Sequence, residues 1–123
     1  MATILLIDDS QSTRAKMRHY LEEGTDHNIL EGTDGANGLD IIKDHTGIDL
    51  IICDVNMPIM DGIALAHILA EDEKLKEIPF VFCTTESAAS LKNEIKDLGI
   101  NARYIMKPVT RNTLLVTMKN VLK

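Results

Sequence analysis

Four short aliphatic runs, each closed by a polar residue capable of chemistry, constrain this chain more than any other feature. Ile4-Leu5-Leu6-Ile7 runs into Asp8-Asp9, Leu50-Ile51-Ile52-Cys53 into Asp54, Phe80-Val81-Phe82-Cys83 into Thr84, and Tyr104-Ile105-Met106 into Lys107. Unbroken apolar runs of this length read as strands of a parallel sheet covered on both faces, and ligand sites on such sheets lie beyond the strands' carboxyl ends. The pattern therefore predicts that three carboxylates, one hydroxyl and one ammonium gather on a single edge.

Strand signals recur at 4–7, 28–32, 50–54, 80–84 and 103–106, and each gap holds about one helix, the alternation of an α/β domain. The spacing predicts helices over 12–23, 36–45, 62–71 and 87–98 and a fifth from 110, giving one domain over residues 1–123. Ser10 or Ser12 is available to cap the first helix, whose Met17 and Leu21 point inward and whose Arg14, Lys16 and Arg18 form a basic exposed face. In the third helix Leu65, Ile68 and Leu69 are expected inside, and in the fourth Leu91, Ile95 and Leu98. The segment 58–62 is turn chemistry.

Only 3% of the residues are aromatic while 45% are hydrophobic, so the core must be aliphatic and each Phe or Tyr is worth locating. A formal net charge of −6 argues against general affinity for nucleic acid or anionic membrane. No apolar run nears the ~20 residues of a membrane span and no leader pattern opens the chain, so a cytoplasmic protein is expected, monomeric by default. Cys53 and Cys83 sit in strand interiors without a C-x-x-C spacing and read as reduced core thiols. His19, His27, His45 and His67 show no paired-ligand spacing for zinc.

If the first and third strands are neighbours, as right-handed crossovers on both sides of the first would make them, Asp8 and Asp9 adjoin Asp54. Like charges ~4 Å apart repel by about 4 kcal/mol at an effective dielectric near 20, so such a cluster needs a cation or a proton. Few, all-oxygen ligands with room for water suit Mg²⁺. A divalent ion beside a carboxylate, a lysine and a hydroxyl is an arrangement for phosphoryl transfer, with Asp54, at the end of the central strand, as the nucleophile. A cis Lys107-Pro108 bond would re-aim the lysine toward that pocket.

The blocks Ile7-Asp8-Asp9-Ser10, Asp54-Val55-Asn56-Met57-Pro58-Ile59-Met60-Asp61-Gly62, Cys83-Thr84-Thr85-Glu86 and Tyr104-Ile105-Met106-Lys107-Pro108, in this order, resemble the response-regulator receiver domains of two-component signalling, of the stand-alone CheY type. The resemblance covers essentially the whole chain. It implies a doubly wound, flavodoxin-like parallel sheet of order 2-1-3-4-5 with five helices. It implies phosphorylation of Asp54 by a histidine kinase, with Mg²⁺ held by Asp9, Asp54 and the main-chain carbonyl of Asn56, and by Asp8 through water. Lys107 would contact the phosphoryl group, Thr84 would move to bond it, and Tyr104 would turn inward in response. Asn56 and Glu86 would tune self-dephosphorylation, beyond which no enzyme activity is implied; a separate phosphatase could assist. The output face, carrying Lys92, Lys96, Arg103, Tyr104 and Lys119, would meet a flagellar switch protein or another output protein.

Family members commonly have glycine where this chain has Arg103, and the segment 99–103 is one residue longer than in the CheY pattern, so partner identity transfers less directly than phosphorylation chemistry. Three other functions share parts of the pattern. A phosphorelay intermediate would pass phosphate to a histidine phosphotransfer protein. A Mg²⁺-dependent aspartyl-phosphate phosphatase would need Asp-x-Asp after the first strand, where Asp8-Asp9-Ser10 stands. A nucleotide- or flavin-binding module would need a glycine-bearing phosphate loop, and Asp8-Asp9-Ser10-Gln11-Ser12 is acidic and has none.

Overall fold

The computed structural model describes residues 2–23, 26–85 and 88–122. Strands β1 (Thr3–Ile7), β2 (Asn28–Gly32), β3 (Leu50–Asp54), β4 (Phe80–Thr84) and β5 (Ala102–Met106) alternate with helices α1 (Gln11–Glu22), α2 (Gly35–Asp44), α3 (Gly62–Ala70), α4 (Ala88–Ile95) and α5 (Arg111–Val121). The strands form one sheet in the order β2-β1-β3-β4-β5, and every pairing is parallel. This is the doubly wound α/β fold expected from the alternation and the resemblance.

Residue parity decides which side of the sheet each side chain enters. Ile4 and Leu6 of β1, Leu50 and Ile52 of β3, and Val81 and Cys83 of β4 pack with Met17 and Leu21 of α1 and Leu114 and Met118 of α5. Leu5 and Ile7, Ile51 and Cys53, and Phe80 and Phe82 pack on the other side, with Ile42 of α2, Leu65 and Leu69 of α3, and Leu91 and Ile95 of α4. Burial on both faces is why the central strands read as continuous apolar runs rather than as alternating ones.

Four helices start on the same device. Ser10, Asp34, Asp61 and Thr110 each accept a hydrogen bond from the main-chain N–H three residues on, at Thr13, Asn37, Ala64 and Thr113. Each such cap stabilises its helix by about 1 kcal/mol and draws its first turn against the carboxyl edge of the sheet.

Three sequence expectations are corrected. Ile68 is exposed. Gly62, Leu65, Ala66 and Leu69 form the buried stripe of α3, and at ~100° per residue Ile68 falls roughly 110° from its centre. The fourth helix leaves α geometry after Ile95, and a 3-10 turn over Lys96–Leu98 ends at Gly99, whose φ of 77° only glycine adopts freely. Arg14 is not on an exposed basic face; its side chain is 12% exposed and paired with Glu31 of β2.

Gly62 opens α3 directly behind Asp54, and a Cβ there would lie 2.5 Å from the Asp54 carbonyl oxygen, a main-chain atom that cannot yield cheaply. Gly62→Ala should lower stability by about 1–3 kcal/mol in equilibrium urea denaturation. An unchanged midpoint would mean that α3 can withdraw from β3 without cost.

Candidate functional site at the carboxyl edge of the sheet

The register of the sheet sets the site. Ile7 lies opposite Cys53, so Asp8 and Asp54 leave β1 and β3 side by side; Asp54 lies opposite Cys83, and Thr84 opposite Met106, so Thr84 emerges one strand further along and Lys107 two. Carboxylate oxygens of Asp8, Asp9 and Asp54 all fall within 4.8 Å of one another, and this is the only cluster among the described residues suited to a metal ion. Asp8 and Asp54 are buried, whereas Asp9 faces solvent.

Lys107 closes the group. Its Nζ lies 3.0 Å from Asp54 Oδ1 and 3.7 Å from Asp8 Oδ2. The Lys107 main-chain N–H donates to the Thr84 carbonyl at 2.8 Å, and the Lys107-Pro108 bond is cis. Asp54 Oδ1 also accepts from the Asn56 N–H at 3.4 Å, and Asp8 Oδ1 from the Ser10 N–H at 2.8 Å. Burial draws the Lys107 ammonium down, but its hydrogen bond to Asp54 and the charges of Asp54 and Asp8 outweigh that and hold its pKa above the ordinary lysine value.

Two unit charges 4.8 Å apart repel by about 3.5 kcal/mol at an effective dielectric near 20. Three carboxylates and one ammonium leave a formal charge of −2, which one divalent cation would balance. Hard oxygen donors with one ligand open to water fit Mg²⁺. Burial raises the Asp8 carboxyl above its usual 3.8, helped by the charges of Asp54 and Asp9 and opposed by the Ser10 N–H and Lys107. The cysteines beside the site are inert: burial pushes the Cys83 thiol up to about 12 and the Cys53 thiol well above its ordinary value.

The loop after Asp54 is tightly turned. The Met60 N–H donates to the Pro58 carbonyl at 2.7 Å across Ile59, whose φ is 69°. This is a γ-turn of the rarer, positive-φ kind, held by a β-branched residue that is 85% exposed. The Met60 carbonyl accepts the Gly35 N–H at 3.0 Å, tying the loop to the start of α2.

Of the expected output residues, the structure gathers Tyr104, Lys92 and Arg103 along one cleft, and Lys96 and Lys119 are exposed outside it. The Tyr104 ring stacks on Phe82 at 5.8 Å, and Lys92 Nζ lies 5.8 Å from the ring centroid. Burial raises the Tyr104 hydroxyl pKa. Glu86 lies outside the described residues. Neither the geometry of Ile59 nor the contact of Arg14 with the Asp8 carbonyl is signalled by a residue pattern. Only the facing glutamate, Glu31, could have hinted at the second.

The response regulator receiver domain model matches residues 4–119. This chain belongs to the response regulator receiver domain family. Among curated relatives of this receiver domain, the chemotaxis protein CheY-3 of Vibrio cholerae is 34% identical over 90% of this chain and 84% of its own length. The chemotaxis protein CheY of Pseudomonas aeruginosa is 33% identical over 90% and 88%. The solved chemotaxis response regulator CheY4 of Vibrio cholerae superposes with a TM-score of 0.88 at 32% identity, covering 98% of each chain. The receiver domain is thus of the CheY-like chemotaxis kind. No helix of the described residues is long and apolar enough to cross a membrane.

Two outcomes follow for the receiver domain. The folded protein keeps the Asp8 proton to higher pH than the unfolded chain does, so ionising Asp8 costs stability as pH rises from 3.8 through its raised value. Asp8→Asn should therefore stabilise the metal-free protein at neutral pH, with the gain fading in acid, in denaturation with chelator; a loss at neutral pH would mean that the Lys107 pair outweighs repulsion. Ile59→Gly should also stabilise, by about 1 kcal/mol, because it relieves positive φ without sacrificing buried surface. Thermal unfolding measures it, and a lower midpoint would contradict the strained turn.

Proposed function

We propose that this receiver domain accepts a phosphoryl group on Asp54 from the phosphohistidine of a histidine kinase, with Mg²⁺, and that the modified form presents an altered α4-β5-α5 face to an output protein. The observation that carries the reading is the convergence of Asp8, Asp9 and Asp54 within 4.8 Å, with Lys107 Nζ 3.0 Å from Asp54 Oδ1. The relatives' designation as chemotaxis proteins favours a flagellar switch protein as that output.

In this reading an Asp54 carboxylate oxygen attacks phosphorus. The new P–O bond forms as the P–N bond breaks, and the imidazole leaves with the electron pair and takes up a proton. Asp9, Asp54 and the Asn56 main-chain carbonyl would hold Mg²⁺, with Asp8 acting through water. When bound, the ion neutralises charge on the phosphoryl oxygens. Lys107 exchanges its pairing with Asp54 for one with a phosphoryl oxygen, and Thr84, buried at the end of β4, turns its hydroxyl toward another. Tyr104 packs against Phe82 on the neighbouring strand, so repacking around Thr84 reaches the surface through this ring stack.

The added group brings about −1.5 to −2 charges and three strong acceptors, which supply the free-energy difference between the two states. Water attack on the acyl phosphate returns the protein to rest, with Asn56 and Glu86 tuning access and a separate phosphatase as a further partner. The protein's catalysis is confined to its own phosphorylation and dephosphorylation.

Acetyl phosphate with Mg²⁺ should label the protein, chelator should suppress labelling, and Asp54→Asn should abolish it. Lys107→Ala should retain part of the label but lose phosphorylation-dependent binding to a flagellar switch peptide. Full labelling of the Asn variant would place the acceptor elsewhere. Transfer of the label to a histidine phosphotransfer domain, without switch-peptide binding, would replace the motor output by a phosphorelay.

A further inference from the structure

Arg14 does not contact the reacting groups, yet its side chain reaches the acidic loop. It rises from the first turn of α1, and its Nη1 donates to the main-chain carbonyl of Asp8 at 2.5 Å. Its Nε donates to Glu31 Oε1 on β2 at 3.0 Å. The other Glu31 oxygen accepts from Arg18 Nη1 at 2.7 Å, and Arg18 also pairs with Glu22 at 3.5 Å. The hydrogen bonds of Arg18 and then Arg14 hold the Glu31 carboxyl below its ordinary range, so the strut stays ionised.

The carbonyl that Arg14 holds belongs to the peptide joining Asp8 to Asp9. The N–H on the other side of Asp8 is bonded to the Gly32 carbonyl at 3.2 Å. Both main-chain groups of Asp8 are therefore tied, one to the strand β2 backbone and one to an arginine braced on that strand. The plane of the 8–9 peptide, and with it the relative aim of the two carboxylates, is fixed from outside the cluster. Two arginines against two glutamates make the strut formally neutral, so it orients the acidic loop without supplying the cluster's counter-charge.

We infer that Arg14 is a positioning residue for the divalent cation: braced by Glu31, it sets the Asp8-Asp9 peptide in the orientation that lets both carboxylates serve one ion. The inference rests on the Mg²⁺ reading of the acidic cluster. A lysine at this position could reach the carbonyl or Glu31 but lacks the planar fork that engages both. Outer groups that orient ligands in this way typically contribute 10- to 100-fold to metal affinity.

Calorimetric titration of Mg²⁺ into wild type, Arg14→Ala, Arg14→Lys and Arg18→Ala, each checked for folding by circular dichroism and thermal melting, tests this. Arg14→Ala should bind Mg²⁺ about tenfold more weakly, Arg14→Lys should recover part of the loss, and Arg18→Ala should stay within about twofold of wild type. An equal loss in Arg14→Ala and Arg18→Ala would reduce the strut to a general stabiliser and overturn the inference, as would an Arg14→Ala affinity matching wild type. If Arg14→Ala does not fold, Arg14→Lys decides: weakened binding supports the inference and wild-type binding overturns it. A wild-type protein that does not bind Mg²⁺ would instead remove the reading of the cluster on which the inference rests.

Discussion

Mutual repulsion of Asp8, Asp9 and Asp54, with oxygens within 4.8 Å and one ammonium to offset them, is the interaction on which the rest of this structure depends. Left in water, these side chains would separate. The fold keeps them together because Asp8 and Asp54 continue two strands whose preceding residues are completely buried, so neither can retreat without exposing core. Hydrophobic burial on both faces of the sheet, at about 25 cal/mol per Å² of apolar surface removed from water, is large enough to hold a cluster that costs a few kcal/mol. The cost is stored at the one place where a divalent cation and a phosphoryl group would relieve or redistribute it.

The same register that crowds the carboxylates gives the site a route to the surface. Thr84 ends the strand that separates Asp54 from the strand of Tyr104, which Lys107 directly follows. A change in what Lys107 and Thr84 contact therefore bears on β4 and β5 together. The aromatic file Phe80, Phe82 and Tyr104, with centroids 4.5 and 5.8 Å apart, runs across this part of the sheet in a core otherwise built from aliphatic side chains. Lys92 beside the Tyr104 ring and Arg103 on the same cleft make the exposed end of the file basic, although the chain as a whole is acidic.

Much of this was legible in the chain. The strands can be read because burial on both faces leaves uninterrupted apolar runs, and the five chemistry-bearing residues because each stands at or just beyond the end of one. Pattern alone did not decide which strands adjoin; the order came from resemblance, and the pairing of Ile7 with Cys53 bears it out. A helix rich in apolar residues does not reveal where its buried stripe is centred, so its pattern places Ile68 inside. Local periodicity carries no information about cross-element ion pairs, so it leaves Arg14 on an exposed face although its partner, Glu31, lies on a different element. The positive φ of Ile59 was invisible because nothing in an isoleucine announces it; closure of the loop between β3 and α3 imposes it.

The most direct measurement is a crystal structure of the protein with Mg²⁺ and beryllofluoride. The account predicts beryllium bonded to an Asp54 carboxylate oxygen, the ion shared by Asp9 and Asp54, and Lys107 Nζ within hydrogen-bond distance of a fluorine. Beryllofluoride bound elsewhere, or no ion among the three carboxylates while Lys107 still pairs with Asp54, would contradict it.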